Sequence, residues 1–252
     1  MKRKDLEFMM FGVIALLLLF NVYATIQLSN KIDFFDPTTT KTKQMKVVEQ
    51  GAKDVTIDFY MMSYCPYGNQ AEEGLEPVFQ AMKNDVTFRP RYVWYENYKG
   101  GGPSYCVDEG SQYCSMHGVQ EGNQNIRELC VYKYTGADEF FEFALAMNKQ
   151  CSSSNADTCW EGVADSLGLD TDKIKQCEAD ESIELAAIDK KDGDVLGVRG
   201  SPSVFINNKQ YNGQRTPEGY KQAICAEFAD PPESCSGVID VQVAEVAAGA
   251  CG

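Results

Sequence analysis

The chain has 252 residues, 37 acidic against 23 basic side chains, ten cysteines and one histidine, for a net charge of −14. Its length gives ample core for one large domain or two small ones, and 44% apolar with 24% charged residues reads as globular rather than disordered. The acidic balance argues against a nucleic-acid partner, which needs Lys and Arg to displace counterions. A lone histidine excludes a site built from several His ligands and disfavours a Ser-His-Asp enzyme. Ten cysteines point to an oxidising compartment, and the lack of close Cys pairs or His partners disfavours zinc. No metal or other bound cofactor is expected.

The N-terminus supports an exported domain. Lys2, Arg3 and Lys4 lie in a basic segment, residues 1–7, that would stay in the cytoplasm. An uncharged stretch runs from Phe8 to Asn30. Residues 8–28 fit a single transmembrane anchor. The alternative is a signal peptide cleaved after Val22-Tyr23-Ala24. The anchor is favoured because the stretch continues past Ala24 and because Asp5 and Glu7 weaken a signal n-region. Both readings place the rest of the chain outside. Residues 29–52, with the Thr38–Lys43 run, read as a linker.

Val55–Met61 is β-rich and reads as a strand. After Pro66, the positions Ala71, Leu75, Val78, Phe79 and Met82 form one apolar helical stripe. Val86–Tyr95 returns to strand composition, with Pro90 marking an edge or a bulge. Helical patterns follow at Val119–Tyr134, Asp138–Gln150 and Trp160–Leu167, then shorter ones at Thr171–Cys177 and Ser182–Lys190. Ser203–Ile206 and Lys209–Tyr211 read as a hairpin around Asn207-Asn208. A last helix starts near Thr216, with Pro217 suited to its first turn. The order predicts one α/β domain over 53–235 with an all-helical insertion at about 100–195. Residues 236–252 form a small-residue tail expected to be loosely ordered.

The chemistry concentrates at Ser63-Tyr64-Cys65-Pro66-Tyr67-Gly68, where the first strand meets the first helix. A thiol at a helix N-terminus faces unpaired backbone N–H groups and the positive dipole end, which favour the reactive thiolate. Some 135 residues later, Gly200-Ser201-Pro202 enters the hairpin. That turn suits a cis bond before Pro202 and would present the Ser201 backbone for strand-like pairing with a client chain.

These features resemble the thioredoxin superfamily, over roughly Asp54–Phe228, and the long insertion looks like its DsbA-like branch. A narrower resemblance lies within the insertion. Cys114, His117-Gly118, Glu121, Asn125 and Cys130 are similar to the signature of the GILT thiol reductases. One extra residue separates Cys114 from His117, and Gly122 stands where that family has a cysteine. The resemblance implies a catalytic Cys65, and substrate contacts from Tyr64, Pro66, Tyr67, Gly68, Ser201 and Pro202. Asp58 reads either as an exposed strand position or as a proton relay. His117 reads as a brace of the insertion or as a group near the thiol. The implied clients are extracytoplasmic protein thiols or disulfides, with a membrane redox partner in reach of the anchor.

Gly68 departs from the superfamily's usual Cys-x-x-Cys, and no such motif occurs in the chain. The missing cysteine would normally release a mixed disulfide. Monothiol exchange or isomerisation stays open, as does a redox-inactive binding or scaffold module in which Cys65 is structural. Cys106 or Cys114 could replace the missing thiol. Cys106/Cys114, Cys151/Cys159 and Cys225/Cys235 are spaced as local staples, and Cys251 is a candidate spare thiol. Cysteine parity leaves two cases: Cys65 free with one other unpaired thiol, or Cys65 a half-cystine.

Overall fold

The computed structural model describes residues 55–243. The expected N-terminal anchor or signal segment, 8–28, and the expected linker, 29–52, lie outside the described residues. Among the described residues, no helix is long and apolar enough to cross a membrane.

The elements are β1 (Val55–Met61), α1 (Pro66–Met82), β2 (Val86–Tyr92), α2 (Val119–Thr135), α3 (Ala137–Gln150), α4 (Ala156–Ser166), α5 (Thr171–Leu196), β3 (Ser203–Ile206), β4 (Lys209–Gln210) and α6 (Pro217–Cys225). One four-stranded sheet has the order β2-β1-β3-β4. β1 and β2 are parallel, while β3 is antiparallel to both β1 and β4. Pro90 faces Phe59 across the ladder, and its missing N–H is harmless because β2 is an edge strand. Asn207 and Asn208 both take positive φ, 49° and 64°, as the tight hairpin turn requires.

The alternation of β1 divides the molecule. Val55, Ile57, Phe59 and Met61 face the main core, where Phe59 stacks on Phe141 and meets Phe140 edge-on. Phe79 of α1 joins the same aromatic cluster through Phe88 and Phe141. Tyr60 and Met62 belong to a smaller cluster with Cys65, Val93 and Phe205. Both faces of β1 are therefore covered, as befits a central strand.

The insertion is helical, with one difference from the sequence reading. The two short helices expected at Thr171–Cys177 and Ser182–Lys190 are one helix of 26 residues, α5. Its polar middle does not break it, because Glu178 pairs with Arg127 at 2.8 Å and Glu181 pairs with Lys133, both cations on α2. Cys130 and Cys177 add a disulfide between the same two helices. Asp170 caps α5 by accepting from Lys173 N at 3.1 Å, and Gly197 ends it in the left-handed region.

The tail is docked over the residues described. Lys221 of α6 is buried, and its ammonium donates to the carbonyls of Ser236 and Gly237. Glu218 accepts from Ile239 N at 2.9 Å.

Candidate functional site

Cys65 is the N-cap residue of α1, in extended conformation, and Pro66 opens the helix. The Cys65 carbonyl accepts the first helical bond, from Asn69 N at 2.9 Å. Across from it, the Ser201–Pro202 bond is cis. The Cys65 Sγ lies 3.6 Å from the Ser201 carbonyl oxygen. The structure therefore brings together the two segments that the sequence singled out, although 136 residues separate them.

Of the two cysteine cases, the structure holds the second. Cys65 is fully buried and disulfide-bonded, so its sulfur here is not the free thiolate expected from its position. Cys106 and Cys114 pair with each other, not with Cys65, because antiparallel backbone bridging brings their Cα atoms to 3.8 Å. That removes both as the replacement thiol in this state. The staples Cys151–Cys159 and Cys225–Cys235 are closed as well. Cys251 lies outside the described residues.

The place of the missing second cysteine is filled from the opposite side. A Cβ on Gly68 would stand 2.6 Å from Ser201 Oγ and 3.2 Å from the Met62 carbonyl oxygen. Ser201 Oγ is held there, accepting from Met62 N at 3.1 Å. Any side chain at position 68 would have to displace that bond. Gly68 and Ser201 thus form a complementary pair, which spacing alone could not reveal.

The insertion holds the loop before Cys65 from behind. The buried Glu121 carboxylate accepts from Tyr64 N at 3.0 Å, His117 N at 3.1 Å and the Ser115 hydroxyl. His117 Nδ1 lies 2.7 Å from the same carboxylate, a contact that raises the imidazole pKa. Asn125 Oδ1 accepts from Ser63 N at 3.1 Å and from Ser63 Oγ at 2.7 Å. Of the signature positions, Glu121 and Asn125 therefore brace the Ser63-Tyr64 backbone, and His117 holds Glu121. Beneath them, Tyr92 donates to Glu128, which burial pushes up to about 7. Glu72 is also buried and held well above the usual carboxylate range by desolvation first and by Glu128 next. The departure at position 122 has a steric cause: a Cβ there would meet Val107 Cγ1 at 2.8 Å.

Two expected site residues behave differently. Asp58 is buried, not exposed, since both faces of β1 are covered. Arg89 binds it through two bonds, at 2.8 and 2.6 Å, and Arg91 approaches at 3.4 Å. Asp58 thus stands as the shared salt-bridge partner of two β2 arginines. Tyr64 was expected on the client-facing rim, but its hydroxyl is buried beside the acidic groups of α2. Tyr67 packs partly buried against the Cys65 cluster, with the Arg215 guanidinium 5.5 Å from its ring centroid. Tyr95, Met116, Leu196 and Val198 pack partly buried around the Cys65 cluster, and the sequence reading assigned none of them to the site. Only their recurrence beside Cys65 in space marks them.

Sheet order, cis-Pro turn and helical insertion define a thioredoxin-like fold of the DsbA type. Two solved structures share it: BdbD from Bacillus subtilis (oxidised), 16% identical with a TM-score of 0.51 over 72% of this chain and 91% of that one, and reduced DsbG from Mycobacterium tuberculosis, 17% identical with a TM-score of 0.51 over 77% and 88%. At such identities the likeness establishes the fold alone. The chain belongs to the family described as the vacuolar sorting receptor thioredoxin-like domain, whose model matches residues 82–225. That match contains the insertion and the cis-Pro turn and begins after Cys65. Vacuolar-sorting receptor 4 of Arabidopsis thaliana is 29% identical over 177 residues, 58% of this chain and 28% of the receptor. Vacuolar-sorting receptor 1 of Pisum sativum is 27% identical over 173 residues, 57% and 28% respectively. The chain thus spans under a third of the length of these relatives.

Proposed function

We propose that this is an extracytoplasmic, membrane-tethered thiol–disulfide exchange protein that acts on protein cysteines through Cys65. The observation that carries the reading is the Cys65 sulfur at the N-cap of α1, 3.6 Å from the Ser201 carbonyl of the cis-Pro turn. A client strand pairing along that turn would bring its own sulfur to Cys65. Once Cys65 is reduced, the first-turn N–H groups of α1 favour its thiolate. Tyr67, Pro66 and Gly68 would then line one side of the client path, and Ser201 and Pro202 the other. The four closed disulfides among the described residues suit an oxidising compartment. The N-terminal stretch would hold the domain beside a membrane redox partner.

The test is reduction followed by labelling. After mild reduction, Cys65 should react with iodoacetamide at half-maximal rate below about pH 7, and Cys65→Ser should abolish exchange with a dithiol peptide. A Cys65 disulfide that resists reduction until the domain unfolds would defeat the proposal. A second reading is then favoured, by the full burial of Cys65, by Gly68 and by the receptor relatives. In it the domain binds a polypeptide at the same turn without redox turnover.

A further inference from the structure

Five arginines lie among the described residues. Three are tied to carboxylates: Arg89 to Asp58, Arg91 to Asp58, Asp189 and Asp192, and Arg127 to Asp157 and Glu178. The other two, Arg199 and Arg215, are exposed and have no carboxylate partner among the described residues. Both stand at the Ser201-Pro202 turn. Arg199 precedes Ser201 by two residues, and its guanidinium donates to the neighbouring Val198 carbonyl at 3.0 Å. Arg215 shares a cavity of about 270 Å³ with Pro202, Val204, Gln210, Asn212 and Tyr220. In a chain of net charge −14, the uncompensated arginines are thus found beside the client path.

The cavity wall is held in place. The Tyr211 hydroxyl donates to the Gln214 carbonyl at 2.6 Å, which pins the loop carrying Arg215. Gly74 of α1 admits that loop, since a Cβ there would stand 3.3 Å from the Arg215 carbonyl oxygen and 3.1 Å from Tyr220 Cε2. The Arg215 guanidinium sits over the ring of Tyr67, two residues after Cys65. A guanidinium over an aromatic face keeps its N–H fork for a carboxylate. Tyr220 is 1% exposed, and its hydroxyl has no hydrogen-bond partner among the described residues. A buried hydroxyl left unmatched is costly, and a bound acceptor would relieve it.

We propose that this cavity is an acid-selecting subsite: the polypeptide that docks on the turn carries Asp or Glu close to its cysteine, and Arg215 takes that carboxylate. The role of the client's cysteine rests on the exchange reading above, whereas the client's charge does not depend on it. A strand paired along Ser201 would pass Pro202, and its side chains would alternate, so a residue two from the cysteine shares its face. A carboxylate there would give Arg215 a forked partner and, directly or through one water, give the Tyr220 hydroxyl an acceptor. Arg199 would add to the attraction from its place before the turn. A client with Lys or Arg at those positions would meet like charges instead.

The test titrates the full chain with fluorescent peptides of one sequence, followed by anisotropy. Ser replaces the client cysteine, and Glu, Gln or Lys stands two residues away on both sides. The Glu peptide should bind about tenfold tighter than the Gln peptide, as a charge-assisted forked bond does, and the Lys peptide more weakly still. The preference should shrink as salt rises. Arg215→Gln should remove most of it while leaving the Gln peptide's affinity in place, and Arg215→Lys should keep part of it. Tyr220→Phe should weaken the Glu peptide by a smaller factor. Lys175→Gln, the same loss of charge on α5, should change nothing. Equal affinities for the three peptides overturn the proposal. So does a Glu preference that survives Arg215→Gln, or one that falls equally in Lys175→Gln. The cysteine forms of the same peptides keep the two readings apart. A Glu preference in binding without exchange leaves the acid subsite standing and sinks the exchange reading. Exchange through Cys65 at one rate for the Glu and Lys forms does the reverse.

Discussion

At residue scale, the pairing of Gly68 with Ser201 decides what the site can be. Ser201 Oγ occupies the space that a side chain at position 68 would take, and it holds Met62 N while doing so. Gly68→Ala should therefore destabilise the domain by about 1–3 kcal/mol, as overpacking of a closed site does. Ser201→Ala removes the obstructing oxygen, so the double variant should recover part of that loss in urea melts. Simple additivity of the two losses would count against the steric account. Cys65 and the Ser201-Pro202 turn were legible in the sequence because both are local patterns with a backbone reason. The Ser201 side chain was not, since its role depends on a contact 139 residues away. Asp58 was misjudged for a related reason: alternation tells which face a residue takes, but not whether that face is covered.

At the scale of elements, the insertion acts as a brace for the Cys65 loop. α2 supplies Glu121 and Asn125 to the backbone of Tyr64 and Ser63, and places Glu128 beneath them. Burying carboxyls there has a pH signature. Glu128, raised to about 7, and Glu72, held well above the usual carboxylate range by burial, keep protons in the fold that the unfolded chain releases above about pH 4.3. The native state then binds more protons than the unfolded one, so stability falls as pH rises from about 5 to 7. His117 has the same sign. Its folded pKa is raised by Glu121, so its contribution is full below about pH 6.5 and is lost as pH climbs through the folded value. Glu181 and Glu218, both lowered, act the other way and only as pH drops through the carboxylate range. The urea midpoint should be higher at pH 5.5 than at pH 8, and Glu128→Gln should flatten the difference. A midpoint that increases toward pH 8 would contradict this assignment. Periodicity found nearly every helix of the insertion. It split α5 because the acidic residues between its apolar turns looked like a break, whereas they are the partners of Arg127 and Lys133.

For the molecule as a whole, the crosslinks differ in what they constrain. Cys130–Cys177 closes 47 residues between two packed helices, whereas Cys151–Cys159 closes eight. Loop-closure entropy assigns roughly 4 kcal/mol to the first and roughly 2.5 to the second. Replacing Cys130 and Cys177 together by Ala should thus lower thermal stability more than replacing Cys151 and Cys159. Equal losses would show that the entropic ranking does not govern here. The docked tail has its own consequence for anyone cutting the gene. A boundary placed straight after Cys235, the natural choice from the last helix and staple, strips the buried ammonium of Lys221 of both carbonyl acceptors and leaves it Glu218 at 3.8 Å. Such a fragment should express poorly and melt early, Lys221→Met should partly rescue it, and a fragment extended to Val243 should need no rescue.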